Sequence, residues 1–94
     1  EPVYLQELRN IIYRNVDTRH WKVVVFGSRA TGRARKTSDI DIGLIGSHEL
    51  PQATRLRLWD ELDESNIPYV VEVVDFSDTT PEFRAVALKK TVRL

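Results

Sequence analysis

Two segments restrict this chain most: Trp21-Lys22-Val23-Val24-Val25-Phe26, and Asp39-Ile40-Asp41-Ile42-Gly43-Leu44-Ile45. The first is β-branched and aromatic, and apolar throughout after Lys22, so it reads as a buried strand, Trp21 to Phe26. It stops at Gly27-Ser28. The second, Asp39 to Ile45, also reads as a strand, but two acids alternate with its isoleucines. Side chains two apart on a strand point to one face, with Cα atoms ~6.5–7 Å apart. Asp39 and Asp41 therefore share a face, and Ile40 and Ile42 share the other. Two carboxylates brought to ~4 Å repel by about 4 kcal/mol at a surface-like dielectric. A divalent cation relieves that repulsion. Mg²⁺ suits such oxygen ligands, taking one or two protein carboxylates and completing its shell with water and phosphates. On the alternation alone, an edge strand with outward acids is the stronger reading.

The surrounding periodicity supplies the rest of the frame. Leu5, Leu8, Ile12 and Val16 recur at spacings of three and four, which predicts an amphipathic helix from Val3 to Val16. Leu50 to Ser65 reads as a second helix with Leu58, Trp59 and Leu62 inward, broken by Asn66 and Pro68. Tyr69 to Phe76 is a third strand. Thr80-Pro81-Glu82 places a hydroxyl at the N-cap, proline at N1 and an acid in the first turn of a last helix. Phe83, Val86, Ala87 and Lys90 are expected along its buried edge. The order is α-β-β-α-β-α, in an α/β fold with a mixed sheet of about three strands packed with helices. With no repeat or linker, residues 1–94 read as one small domain. Trp21, Trp59, Tyr69 and Phe83 are expected to pack the core, and His20 and His48 to lie on the surface at element ends.

Composition narrows the function classes. Lys plus Arg and Asp plus Glu number 14 each, a balance unlike the basic excess of general nucleic-acid or membrane-surface binders. There is no cysteine, hence no disulfide framework and no thiolate metal site. No apolar run approaches the ~20 residues of a membrane span, and no signal-peptide pattern opens the chain. A soluble cytoplasmic protein is expected. Glu1 in place of a methionine suggests that the natural N-terminus lies upstream.

The loop from Gly27 to Ser38 changes the weight given to the acids. Glycine directly after a buried strand permits positive φ or close approach to a ligand. A helical turn from Ser28 to Ala30 would direct amide N–H groups at an anion. Arg29, Arg33, Arg35 and Lys36 add positive charge with no acid between them. Taken alone, the loop reads as a solvated turn. It also nearly matches a P-loop, with Gly27 and Gly32 at the right spacing. It lacks the Lys and Ser/Thr that contact phosphate and Mg²⁺ there.

Gly27-Ser28, ten intervening residues, then Asp39-Ile40-Asp41 resembles the signature of DNA polymerase β-like nucleotidyltransferases. The length and element order resemble the minimal nucleotidyltransferases that serve as antitoxins beside HEPN-domain toxins. The resemblance implies that Gly27, Ser28, Arg29 and Ser38 bind the nucleotide. It implies that Asp39 and Asp41 hold Mg²⁺ or Mn²⁺, with a third carboxylate from the later strand. The family usually has Asp there, and Glu72 stands in its place. Asp75, three residues on, would face the other way on a strand and is expected at the strand end or as a cap. Asp39, Asp41 and Glu72 are thus the expected catalytic set, with Asp75 the alternative for the third carboxylate.

The reaction implied is AMP transfer from ATP to a hydroxyl of a HEPN-type partner, within a hetero-oligomer and without stable nucleic-acid binding by this chain alone. One alternative is an antitoxin of weak or no activity that neutralises its partner by contact. Another is a nucleotide-binding subunit of a larger complex.

Overall fold

The computed structural model describes residues 2–33 and 39–94. Ser38, Arg35 and Lys36 lie outside the described residues. Helix α1 (Val3–Asn15) leads to β1 (Trp21–Phe26), the single turn α2 (Ser28–Thr31) and β2 (Ile40–Gly46). Helix α3 (Gln52–Asp63) crosses over to β3 (Val71–Asp75). A 3₁₀ turn (Phe76–Asp78), α4 (Pro81–Ala87) and β4 (Val92–Arg93) follow.

The sheet has four strands in the order β3-β2-β1-β4. β1 lies antiparallel to β2 and to β4, while β2 and β3 run parallel. A parallel pair needs a crossover, and α3 supplies it. The fourth strand departs from the expected three. Two residues are too short to show a period of two, and β4 exists only because β1 offers an edge at Val24 and Val25.

Alternation sorts the side chains between two faces. Trp21, Val23, Ile40, Ile42 and Leu44 join Leu8, Ile11, Ile12 and Val16 near α1, and Leu50 and Leu58 near α3, in one core. Each fully buried aliphatic side chain of this set contributes about 1.5–3 kcal/mol. The opposite face carries Val24 and Phe26, with Phe76 beneath α4. The rings of Phe76 and Phe83 stack there at 6.0 Å. Gly43 has no room for a side chain, since a Cβ would overlap the Phe76 ring. Among the described residues no helix is long and apolar enough to cross a membrane.

Several boundaries and burial expectations shift. Helix α3 begins at Gln52 rather than Leu50, because proline disfavours helical geometry in the residue before it and Pro51 follows Leu50. β3 begins at Val71, the partner of Ile40 where β2 itself begins. It ends at Asp75, whose side chain accepts from the Ser77 amide and starts the 3₁₀ turn. Trp59 is not core but 57% exposed, and Thr54 takes the buried position on α3 with Leu58. The Thr80 cap forms as expected, accepting from the Phe83 amide at 3.1 Å. Yet α4 ends at Ala87 and has no fully buried residue, with Phe83 46% and Val86 69% exposed. Helical spacing reports a stripe, and the stripe is covered only where another layer lies against it.

Candidate functional site

The site lies at the end of β1 where β2 enters the sheet. Phe26 is the Cα partner of Asp41, so the Gly27 turn stands next to that aspartate. Gly27 has φ +73° and ψ −151°, outside the range open to ordinary residues. A Cβ on Gly27 would overlap Oδ2 of Asp41. Glycine is therefore required twice, for the turn and for the approach of the carboxylate. Ser28 opens α2, whose Ala30 and Thr31 amides donate to the Gly27 carbonyl at 3.1 and 3.2 Å. The expected helical turn is present.

Asp41 and Glu72 are register partners across the parallel β2–β3 pair. Both project on the face away from the α1–α3 core. Asp41 is half-buried, and Glu72 is exposed. The Asp41 carboxyl is pushed above its usual range, first by burial, then by the negative charges of Glu72 and Asp39. A hydrogen bond with Glu72, which needs one carboxyl protonated, adds to the shift. Asp39 is exposed and immediately precedes β2. Of the residues expected to act together, Gly27, Ser28, Asp39, Asp41 and Glu72 are thus brought to one end of the sheet.

Asp75 goes elsewhere. It projects from the opposite face of β3 and is 7% exposed. Its carboxylate accepts from the Leu50 amide at 2.7 Å, the Ser77 amide at 3.0 Å and the Ser77 hydroxyl at 2.8 Å. Arg55 lies 3.6 Å away. Burial raises this carboxyl, but the Leu50 amide, the Ser77 hydroxyl and amide, and Arg55 together hold it below the usual range. Its two oxygens serve the fold.

The donor chemistry fits a hard divalent cation. Asp41 and Glu72 provide two adjacent oxygen ligands whose mutual repulsion a cation would relieve, the number that Mg²⁺ ordinarily draws from a protein. Among the described residues no three His, Asp or Glu side chains already surround a single point. The rest of such a shell would come from water and phosphate oxygens.

Arg29 Nε donates to the Asp39 carbonyl at 3.2 Å, and its guanidinium lies 4.5 Å from the centroid of the Tyr69 ring. Tyr4 of α1 meets Tyr69 edge-on at 5.0 Å. Tyr69 packs against the core as its sequence position suggests, and its ring also carries Arg29. No sequence signal connects it to Arg29, forty positions earlier, because the pairing arises from the crossover.

Comparison with known proteins identifies the family and the fold. Residues 6–94 match the family described as polymerase beta, nucleotidyltransferase. A probable protein adenylyltransferase MntA of Haemophilus influenzae is 36% identical over 69 residues, which cover 73% of this chain and 60% of that protein. The chain therefore spans less than two thirds of the relative's length. A crystal structure of a toxin–antitoxin with AMP-PNP superposes with a TM-score of 0.73 at 20% identity, covering 94% of this chain and 69% of that one. A tri-AMPylated Shewanella oneidensis HEPN toxin in complex with an MNT antitoxin gives 0.68 at 18%, covering 97% and 68%. At these identities the structural likeness is one of fold. The signature residues, their convergence and the family match over nearly the whole chain lead to one conclusion: this chain belongs to the polymerase β nucleotidyltransferase family.

Proposed function

We propose that this protein is the nucleotidyltransferase antitoxin of a two-component pair, moving AMP from ATP to a hydroxyl of a HEPN-type partner in the cytoplasm. The observation that carries the proposal is the placement of Asp41 and Glu72 side by side, on the face that the Gly27 turn adjoins. Support for the partner comes from the MntA relative and from the toxin–antitoxin complexes of like fold.

Gly27 and Ser28 receive the phosphates in this reading. Gly27 leaves the backbone open to close approach, and Ser28 offers a hydroxyl and an amide at the first turn of α2. Ser38 is assigned to the nucleotide by resemblance alone. Asp39, Asp41 and Glu72 would hold Mg²⁺ or Mn²⁺, which when bound stabilises charge on the phosphoryl oxygens. The acceptor oxygen bonds to the α-phosphorus as the bond to the β-phosphate oxygen breaks, and pyrophosphate leaves. Glu72 lies exposed beside Asp41 and takes the acceptor proton. Asp41 fixes the reacting end against the Gly27 turn, so catalysis rests on positioning and electrostatics.

A second reading, neutralisation by contact alone, draws on two observations. Glu72 replaces the usual aspartate, and no three-carboxylate cluster is preassembled among the described residues.

The deciding experiment incubates the chain with its co-purified partner, ATP labelled at the α-phosphate, and Mg²⁺. Label on the partner that disappears in Asp39→Asn and Asp41→Asn is expected. An unlabelled partner that remains inhibited would replace transfer with contact-only neutralisation. The balanced charge also predicts that the chain alone does not retain RNA at physiological salt. Tight retention in a filter assay would point instead to a subunit of an RNA-directed complex.

A further inference from the structure

The peptide unit between Asp39 and Ile40 is held at both ends. Its carbonyl accepts from Arg29 Nε at 3.2 Å. Its amide, the Ile40 N–H, donates to the Val70 carbonyl at 2.9 Å. These two bonds fix the orientation of the peptide plane from which the Asp39 side chain departs. Asp39 itself is exposed and lies immediately before the strand ladder, so the ladder does not set its direction.

The Arg29 side chain is itself held. Its guanidinium stacks on Tyr69 at 4.5 Å, and Tyr4 braces that ring from the edge at 5.0 Å, 65° between planes. A delocalised, planar cation is suited to lie over an aromatic face while donating in its own plane. The Arg29 Nε–H bond uses that plane. Tyr69 and Val70 are sequence neighbours, so one short segment before β3 supports both ends of the Asp39–Ile40 peptide. It holds the amide directly and the carbonyl through Arg29.

We infer that Arg29 is a positioning residue, acting with Tyr69 to set the Asp39 carboxylate relative to Asp41, rather than a direct ligand of the nucleotide phosphates. The inference rests on the reading of Asp39 and Asp41 as metal ligands. Residues that orient metal ligands typically alter metal affinity by about 10–100-fold when removed.

Mn²⁺ binding to the 94-residue chain, followed by electron paramagnetic resonance in the presence of a non-hydrolysable ATP analogue, tests it. Arg29→Ala is expected to weaken Mn²⁺ binding about 10-fold or more, and Tyr69→Leu several-fold. Tyr69→Phe, which keeps the ring, restores the affinity. Arg29→Ala combined with Tyr69→Leu is expected to be no weaker than Arg29→Ala alone, as for two residues acting through one contact. Affinity for the analogue returns to the wild-type value at saturating Mn²⁺. Unchanged Mn²⁺ affinity in both single variants would overturn the inference. So would analogue binding that stays weak at saturating Mn²⁺, which would make Arg29 a phosphate ligand. Should Arg29→Ala fail to fold, the contrast between Tyr69→Leu and Tyr69→Phe decides alone. A wild-type chain that binds no Mn²⁺ with the analogue would remove the two-aspartate site itself, a failure distinct from that of the Arg29 contact.

Discussion

Asp41 and Glu72 stand opposite each other on adjacent parallel strands, two acids in register on one face. The Asp41 carboxyl is raised, so the fold binds its proton more readily than the unfolded chain does. Its contribution therefore improves as pH falls through the folded value toward the unfolded value near ~3.9, and is least favourable above the folded value. Asp41→Asn is expected to leave the apo protein as stable or more so at pH 7 in thermal unfolding. The same variant should lose the increase in Tm that ATP and Mg²⁺ give the wild type by mass action. A full increment retained in Asp41→Asn would dismiss the site.

Glu72 reaches about 1.5 Å further than an aspartate from the same backbone position. A displacement near 1 Å at a reacting centre can cost on the order of a hundredfold in rate. Slow, metal-dependent AMP transfer is expected. Glu72→Gln should remove it, and Glu72→Asp should preserve or raise it. Transfer that survives Glu72→Gln but vanishes with Asp75→Asn would exchange the roles of the two acids.

Asp75 should govern acid stability instead. Its carboxyl is depressed in the fold, against the raising effect of burial, by the Leu50 amide, the Ser77 hydroxyl and amide, and Arg55. A depressed acid stabilises fully above the unfolded value near ~3.9, and that contribution is lost as pH falls from there through the folded value. Asp75→Asn leaves buried donors poorly matched, at a cost of about 1–3 kcal/mol. For a domain of this size each kcal/mol lowers Tm by about 4–8 °C. Denaturant titrations at pH 3 and pH 7 should show the deficit shrinking at the lower pH. A deficit of the same size at both would contradict the assignment.

Gly27→Ala combines a backbone conformation of positive φ with a clash against Asp41. The strained conformation alone is worth about 1–3 kcal/mol. Relief requires the Asp41 carboxylate to move, so ATP-dependent stabilisation should fall more than the apo Tm does. An alanine variant with normal nucleotide response would show that Asp41 is not held against the turn.

The two tryptophans should behave oppositely. Trp21 is 7% exposed and packs against Gly46, whereas Trp59 is 57% exposed. Trp21→Ala is expected to cost about 3–5 kcal/mol, a large share of the ~5–15 kcal/mol typical of a domain. Trp59→Ala should stay within about 0.5 kcal/mol. Equal losses in urea denaturation would refute the burial pattern.

Local patterns carried much of this protein. The unbroken run of Trp21–Phe26, the alternation at Asp39–Ile42 and the Thr80-Pro81 helix start are each dictated by the geometry of a few consecutive residues, so they could be read directly. The opposite facing of Glu72 and Asp75 also followed from strand alternation, once both were placed on one strand. Other features depended on which layers meet. Trp59 and Phe83 occupy helical stripes no different in sequence from buried ones, but too little of the fold lies against them to bury them. β4 exists because an edge of β1 was available. The strand register that sets Asp41 beside Glu72, and the crossover that carries Tyr69 beneath Arg29, join residues thirty-one and forty positions apart. No local periodicity encodes such pairings. They are decided by the packing of α3 across the sheet and by the ladder between β2 and β3, whose energy is collected only when the whole chain has come together.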